Sequence, residues 1–329
     1  MRPPRFWSNL PERPGWQAGA LAPLEGLYAR ATARRVARPG HRVERPVICV
    51  GNLNVGGTGK TPTVIALLSR LANRGVAAQV VTRGYGGKLS GPVRVDPRSH
   101  GAADVGDEPL LLAAFAPVWV ARDRTEGVRA AVADGAQAVL LDDGFQSPGL
   151  VKDLGLLVVD AWAGFGNGRI LPAGPLREPV AAGLARADLL LSIGAEADQI
   201  RFVERWGAQI PCPRLAGRMV PLRTGMPWAG LRVLAFAGIG RPEKFFATLR
   251  DMDVDLIRAE ALDDHQPLHS NLMTRLERDA AALGAQLVTT EKDAVRLPAS
   301  FRQKVLTLPV RLEITDPAPL DAALDRIGL

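Results

Sequence analysis

Residues 46–62 read PVICVGNLNVGGTGKTP, and this stretch constrains the chain more than any other. An apolar run, Val47 to Val50, enters a glycine-rich turn, and a helical pattern through Thr63, Ile65, Leu67 and Leu68 follows it. Strand, glycine turn and helix in that order make a phosphate cradle. Glycines let backbone N–H groups approach phosphate oxygens, and the helix N-terminus favours negative charge. The residues expected to hold the phosphates are Asn54, Val55, Gly56, Gly57, Thr58, Gly59, Lys60 and Thr61. Lys60 is placed to reach the β- and γ-phosphates, and the Thr61 hydroxyl to ligate Mg²⁺. The pattern G-x-x-x-x-G-K-[ST] has glycine where this chain has Asn54, and asparagine is expected to substitute through its tolerance of left-handed backbone. The stretch predicts a nucleoside triphosphate site.

Apolar runs alternate with helical patterns from residue 46 to about 195. Strands are expected at 46–51, 77–82, 117–121, 137–142, 154–160 and 187–193, with helices near 60–73, 107–116, 124–134 and 197–206. Such alternation predicts an α/β fold, a mostly parallel P-loop NTPase-like sheet with helices on both faces. A Pro- and Gly-rich passage at 211–230 interrupts it. A second alternation follows, with strands at 232–237, 254–259 and 286–290 and helices at 241–251, 270–283 and 318–327. The expected organisation is therefore a segment 1–45, a core 46–210, a connector 211–230 and a smaller C-terminal α/β lobe 231–329, with a cleft between the lobes.

Charge is uneven along the chain. Residues 1–45 carry nine arginines against three glutamates, a surplus of +6 out of a net +7 for all 329 residues. Phe6, Trp7, Trp16 and Tyr28 lie among these arginines, with Leu21, Leu24 and Leu27. Pro23 is suited to begin a helix reaching about Ala37. An amphipathic basic helix with aromatics fits an anionic membrane surface; a solvated arm or a nucleic-acid contact are the competing readings. No stretch approaches the roughly 18 apolar residues of a membrane span. Cys49 and Cys212 are the two cysteines, and with four scattered histidines they form no zinc spacing. A reducing cytoplasmic setting fits this usage.

Other residues carry candidate chemistry. Asp142 and Asp143 end an apolar strand, where acids of P-loop proteins hold Mg²⁺, although an Asp-Gly turn also fits. Asp107 opens a helical run and reads either as a cap or as a base. Arg83 in Arg83-Gly84-Tyr85-Gly86 follows the second strand at the sheet end where ligands collect. His265 beside Asp263 and Asp264, and Thr290-Glu291-Lys292-Asp293, end elements of the second lobe.

Taken together and in order, these motifs resemble the tetraacyldisaccharide 4′-kinase family of lipid A biosynthesis. The resemblance also takes in Gly166-Asn167-Gly168 and the run from Leu171 to Glu178. It departs at Ser147, where the family often has histidine, and at Gln266, where a histidine or aromatic is common; both positions bear on substrate contacts. The resemblance implies transfer of the ATP γ-phosphate to the 4′-hydroxyl of a tetraacyldisaccharide 1-phosphate at the cytoplasmic face of the bacterial inner membrane. It implies Asp107 as general base with His265 as partner, and Thr61, Asp142 and Asp143 around Mg²⁺. Arg83, Asn167 and Arg177 would face the substrate, with Arg177 read equally as a contact to the 1-phosphate or as an ion pair. The partners expected are this lipid and an anionic membrane surface, without nucleic acid. The other class that fits the loop is a membrane-associated ATPase switch acting on a protein partner. Such switches usually have lysine where Val55 stands here, which argues against that reading.

Overall fold

The computed structural model describes residues 3–264 and 266–329. The strands of its larger sheet are β1 (Val47–Gly51), β2 (Ala78–Thr82), β3 (Val93–Arg94), β4 (Val118–Val120), β5 (Ala138–Asp142), β6 (Leu154–Asp160), β7 (Leu189–Ile193) and β8 (Arg214–Pro221). The second sheet holds β9 (Arg232–Ala237), β10 (Asp255–Ala261), β11 (Gln286–Thr290) and β12 (Val305–Leu308). The last strand, β13 (Val310–Ile314), returns to the first sheet, whose order is β13-β8-β7-β6-β1-β5-β2-β4-β3. Pairing is parallel from β8 through β4, and only β13 and β3 join antiparallel at the two edges.

Both faces of the central strands are covered, so these strands are apolar throughout rather than alternating. Ile48, Val50, Val80, Leu140 and Leu156 pack on one face with Val64, Leu67, Leu68 and Leu71 of the helix Lys60–Asn73. Val47, Cys49, Val81, Leu141 and Leu157 face the other way. They meet Val128 and Ala131 of the helix Arg124–Ala133 and Phe202 and Trp206 of the helix Glu196–Trp206. The second sheet, order β10-β9-β11-β12, is wholly parallel. Phe245, Phe246 and Leu249 cover one of its faces and Met273, Leu276 and Phe301 the other.

Three expectations are corrected. The passage 211–230 is not merely a connector, because β8 lies within it and pairs with β7 over Arg214–Gly217. Its Arg, Gly and Pro residues suit a strand near the sheet edge and hide it from a search for apolar runs. Residues 312–329 pack with the first lobe rather than the second: β13 pairs with β8, and Leu312 with Leu320, Ala323 and Leu324 of the helix Ala318–Arg326 join the core beneath the helix Lys60–Asn73. Arg70 of that latter helix and Arg74 just after its end bind Asp321, and Arg74 also binds Asp325 at 2.7 Å.

The third correction concerns the first helix, which runs Trp16–Val36 with Pro23 inside it. Proline removes one helical donor, but Gly15 at φ 93° sets the start of the helix earlier than the proline does. The segment is also fastened to the large lobe. Trp7 Nε1 donates to the Pro172 carbonyl at 3.1 Å, the Asn167 N–H donates to the Trp7 carbonyl at 2.9 Å, and Glu25 accepts the Ile170 N–H at 2.9 Å. Trp16, Leu24 and Leu27 point away from the lobe, 79%, 52% and 62% exposed. Among the described residues no helix is long and apolar enough to cross a membrane.

Candidate active site

The phosphate-binding turn is shaped by its neighbours before any ligand is considered. At Gly51 a Cβ would stand 2.4 Å from Phe145 Cβ, so β1 can run close against the segment after β5 only as glycine. Asn52, fully buried, donates from Nδ2 to Thr58 Oγ1 at 3.0 Å and to the Gly56 carbonyl at 3.3 Å, closing the turn on itself. Gly56 and Gly57 have open space where a side chain would stand, which leaves their backbone bare. Gly59, at φ 97°, caps the helix Lys60–Asn73, and the first helical N–H groups point into the turn. Lys60 begins that helix and Thr61 follows in its first turn. Asn54 does not take the left-handed backbone expected of it. It is buried and bridges to Leu176, and its Nδ2 donates to the Gly164 carbonyl at 3.1 Å, tying the turn to the loop after β6. Val55 is half-exposed beside it.

The two acids at the end of β5, Asp142 within it and Asp143 just after, lie in unlike surroundings. Asp142 is 1% exposed, and burial, reinforced by Glu108 and opposed by Lys60, pushes its carboxyl up to about 7. Its Oδ2 accepts from Thr82 Oγ1 at 3.4 Å, while its Oδ1 is buried without a hydrogen-bond partner. Asp143 sits at φ 54° and is gripped by cations. Arg177 Nη1 reaches its two oxygens at 3.0 and 3.1 Å, and Lys60 Nζ lies 3.9 Å away. Burial works to raise the Asp143 carboxyl, but Lys60, Arg177 and Arg124 outweigh it and hold it below the ordinary value. A buried acid with an unbonded oxygen, beside an acid already ionised, is chemistry that fits a divalent cation. Among the described residues no three His, Cys, Asp or Glu side chains are arranged to hold a metal ion by themselves, so such an ion would draw its other ligands from phosphate and water.

Asp107 begins the helix Asp107–Leu112 after Gly106, is 5% exposed, and accepts the Glu108 N–H at 2.9 Å. Gly106 is the N-cap, so Asp107 stands at the first helical position, where its carboxylate takes one free N–H of its own helix and also faces the second lobe. From there Arg296 brings Nε to 3.9 Å of its Oδ2, and Lys292 Nζ lies 3.3 Å from Glu108 and 4.0 Å from Asp264. Burial lowers Lys292, but Glu108, Asp107 and Asp264 more than reverse this, so its proton is held more tightly than usual. A second bridge between the lobes stands at the end of β6. Asp160 takes Lys244 at 2.8 Å and Arg241 at 3.2 Å, and the Arg241 guanidinium lies 4.0 Å over the Trp162 ring.

The sequence model of the family LpxK, tetraacyldisaccharide-1-P 4′-kinase, matches residues 17–328. The chain belongs to the tetraacyldisaccharide 4′-kinase family. It is similar to the tetraacyldisaccharide 4′-kinase of Dinoroseobacter shibae, 67% identical with 99% of this chain and 98% of that protein covered. The kinase of the same name from Jannaschia sp. is 60% identical over 99% of each. The fold matches the crystal structure of the "apo" form of LpxK from Aquifex aeolicus in complex with ATP, with a TM-score of 0.75 and 24% identity, over 95% of this chain and 99% of that one.

In this tetraacyldisaccharide 4′-kinase family member the structure gathers Lys60, Asp142, Asp143 and Arg177 into one cluster, with Arg83 exposed at the end of β2 near Arg124. Of the two readings of Arg177 the structure has the ion pair: it binds Asp143, and its Nη1 also donates to Gln146 Oε1 at 3.3 Å. One substrate expectation changes. Asn167 is 1% exposed, and its Nδ2 donates to the carbonyls of Phe6 and Ala173, so it holds the loop and the N-terminal segment together. His265 lies outside the described residues. Sequence reading passed over Arg124, Asp160, Arg241 and Arg296. Only Arg296 left a trace, standing one helical turn after Lys292 in the charged segment that ends β11.

Proposed function

We propose that the chain transfers the γ-phosphate of ATP to the 4′-hydroxyl of a tetraacyldisaccharide 1-phosphate, with Mg²⁺, at the cytoplasmic face of the inner membrane. One observation carries this reading: a glycine turn built for phosphate opens into a cleft where a buried carboxylate, Asp107, sits against the second lobe. A sugar hydroxyl is a weak nucleophile at neutral pH. Asp107 takes its proton as it attacks, an effect typically of about 10²- to 10⁴-fold, and His265 is its partner from the other lobe. Lys60 and the backbone N–H groups of Gly57–Thr61 hold the β- and γ-phosphates and offset their charge. Thr61, Asp142 and Asp143 would hold Mg²⁺, which when bound neutralises charge on the transferring phosphate. Arg177 keeps Asp143 ionised and aimed, and Arg83 is left to meet an acceptor phosphate.

The acceptor's acyl chains belong in a bilayer. The exposed Trp16, Leu24 and Leu27, beside Arg30 and Arg34, would lie at its anionic surface. Replacing these three apolar residues with serine should reduce binding to anionic vesicles at least tenfold while leaving the fold intact, since none of them is buried. Unchanged vesicle binding would rule the surface out. The reaction itself is tested with γ-labelled ATP and the disaccharide acceptor. Label should move to the lipid, and Asp107→Asn should slow transfer more than tenfold with nucleotide affinity kept. Release of label only as inorganic phosphate would defeat the kinase reading.

A further inference from the structure

Asp107 is reached from the second lobe by a side chain that the proposed chemistry has not used. Arg296 is nine-tenths buried, and its guanidinium is held on three sides. Nη2 pairs with Asp293 and donates to the Gly238 carbonyl at 3.3 Å, and Nη1 donates to the Gln266 carbonyl at 3.0 Å. Asp293 is itself fully buried and fixed, accepting from the Gly238 N–H at 3.1 Å and from Thr290 Oγ1 at 2.7 Å. The fourth direction is different. Nε is buried, has no hydrogen-bond partner among the described residues, and lies 3.9 Å from Asp107 Oδ2. Leaving a buried guanidinium N–H unbonded is costly in a folded protein. The second lobe thus aims a fixed positive charge across the cleft at one carboxylate.

We propose that Arg296 is a positioning residue for the reaction: its guanidinium, fixed from the second lobe, holds the Asp107 carboxylate charged and oriented, so that the base is competent only when the lobes meet. This rests on Asp107 being the base. Arginine suits the task better than lysine, because its planar fork can bind Asp293 and two carbonyls while one N–H still points elsewhere. Among the described residues, charged and titratable groups approach Asp107 from several elements. Glu108 lies on its own helix, Lys292 and Arg296 come from the second lobe with Asp264 behind Lys292, Lys60 begins a helix packed beside it, and Tyr85 lies in the loop behind Gly106. Lys292 is paired with Glu108 and also feels the Asp107 charge, while Arg296 brings a buried Nε to 3.9 Å of Asp107 Oδ2.

The test compares Arg296→Gln, Arg296→Lys and Asp107→Asn in the full chain, with kcat and both KM values measured from pH 5.5 to 9. A cation beside a carboxylate favours its charged form, so removing it means more alkaline solution is needed to ionise the same group. Arg296→Gln should lower kcat at least tenfold at neutral pH and move the acidic limb of the kcat profile upward by about one pH unit, the lower end for an opposite charge at this range. KM for ATP should stay within threefold. Arg296→Lys keeps the charge and should restore the limb, though not the full kcat, because it cannot bind both carbonyls. Arg296→Met, which keeps the alkyl stem, replaces the glutamine variant if that one fails to fold. A limb in the wild-type position in the neutral variants, or lost equally in Arg296→Lys, would reduce Arg296 to a scaffold and overturn the proposal. If instead Asp107→Asn turns over within tenfold of wild type, the assignment of the base has failed, and that result stands apart from the other.

Discussion

Gly59→Ala tests the phosphate turn most directly, because the structure separates its two costs. Gly59 has φ 97° and ψ 19°, a backbone that L side chains adopt at about 1–3 kcal/mol. An added Cβ would also stand 2.6 Å from Ile193 Cδ1, at the end of β7, and moving that methyl off its rotamer costs about 0.5–1.5 kcal/mol. The turn is exposed at Gly56 and Gly57, so the free protein relieves this strain by relaxing the turn, and binding must impose it again. The sum, about 2–4 kcal/mol, corresponds to a Kd for ATP weaker by about 30- to 1,000-fold. Ile193→Val removes the offending Cδ1 alone, since the next Ile193 atoms lie at 3.8 and 4.0 Å. In the double variant the steric part vanishes and the backbone part remains, so affinity should recover by about twofold to tenfold and no further. Calorimetric titration with ATP and Mg²⁺, without acceptor, measures both. A Kd for Gly59→Ala within threefold of wild type, or full recovery in the double variant, would refute the reasoning.

Two further outcomes follow from packing. Leu324, fully buried, joins the helix Ala318–Arg326 to the nucleotide-binding lobe, so Leu324→Ala should cost about 2–5 kcal/mol and lower Tm by about 5–15 °C. A fall of less than about 2 °C in calorimetry would show that the chain end is not part of that core. Burial pushes the Cys49 thiol up to about 11 and raises Cys212 less strongly. Since only the thiolate reacts, a disulfide reagent at pH 8 should label Cys212 slowly, faster as pH rises, and should reach Cys49 only after unfolding. Rapid labelling of two thiols in the native protein would contradict the buried placement of Cys49.

Much of this protein is local, and local features are legible in sequence. The β1 run, the glycines that follow it and Lys60 fix a strand, a turn and a helix through backbone geometry and apolar spacing, and the acids at the end of β5 stand where a parallel strand ends. What required the tertiary structure was pairing between distant segments. Nothing in Arg214–Pro221 or Val310–Ile314 says that these strands bind each other, because register depends on which edge is left uncovered. Nor does sequence say that Arg177 grips Asp143, that Asn167 ties down Phe6, or that Arg296 meets Asp107 from the far lobe. Periodicity decides which residues face a core. Which charges meet across a cleft is decided by how two separately folded sheets come together, and that depends on contacts no short window of sequence contains.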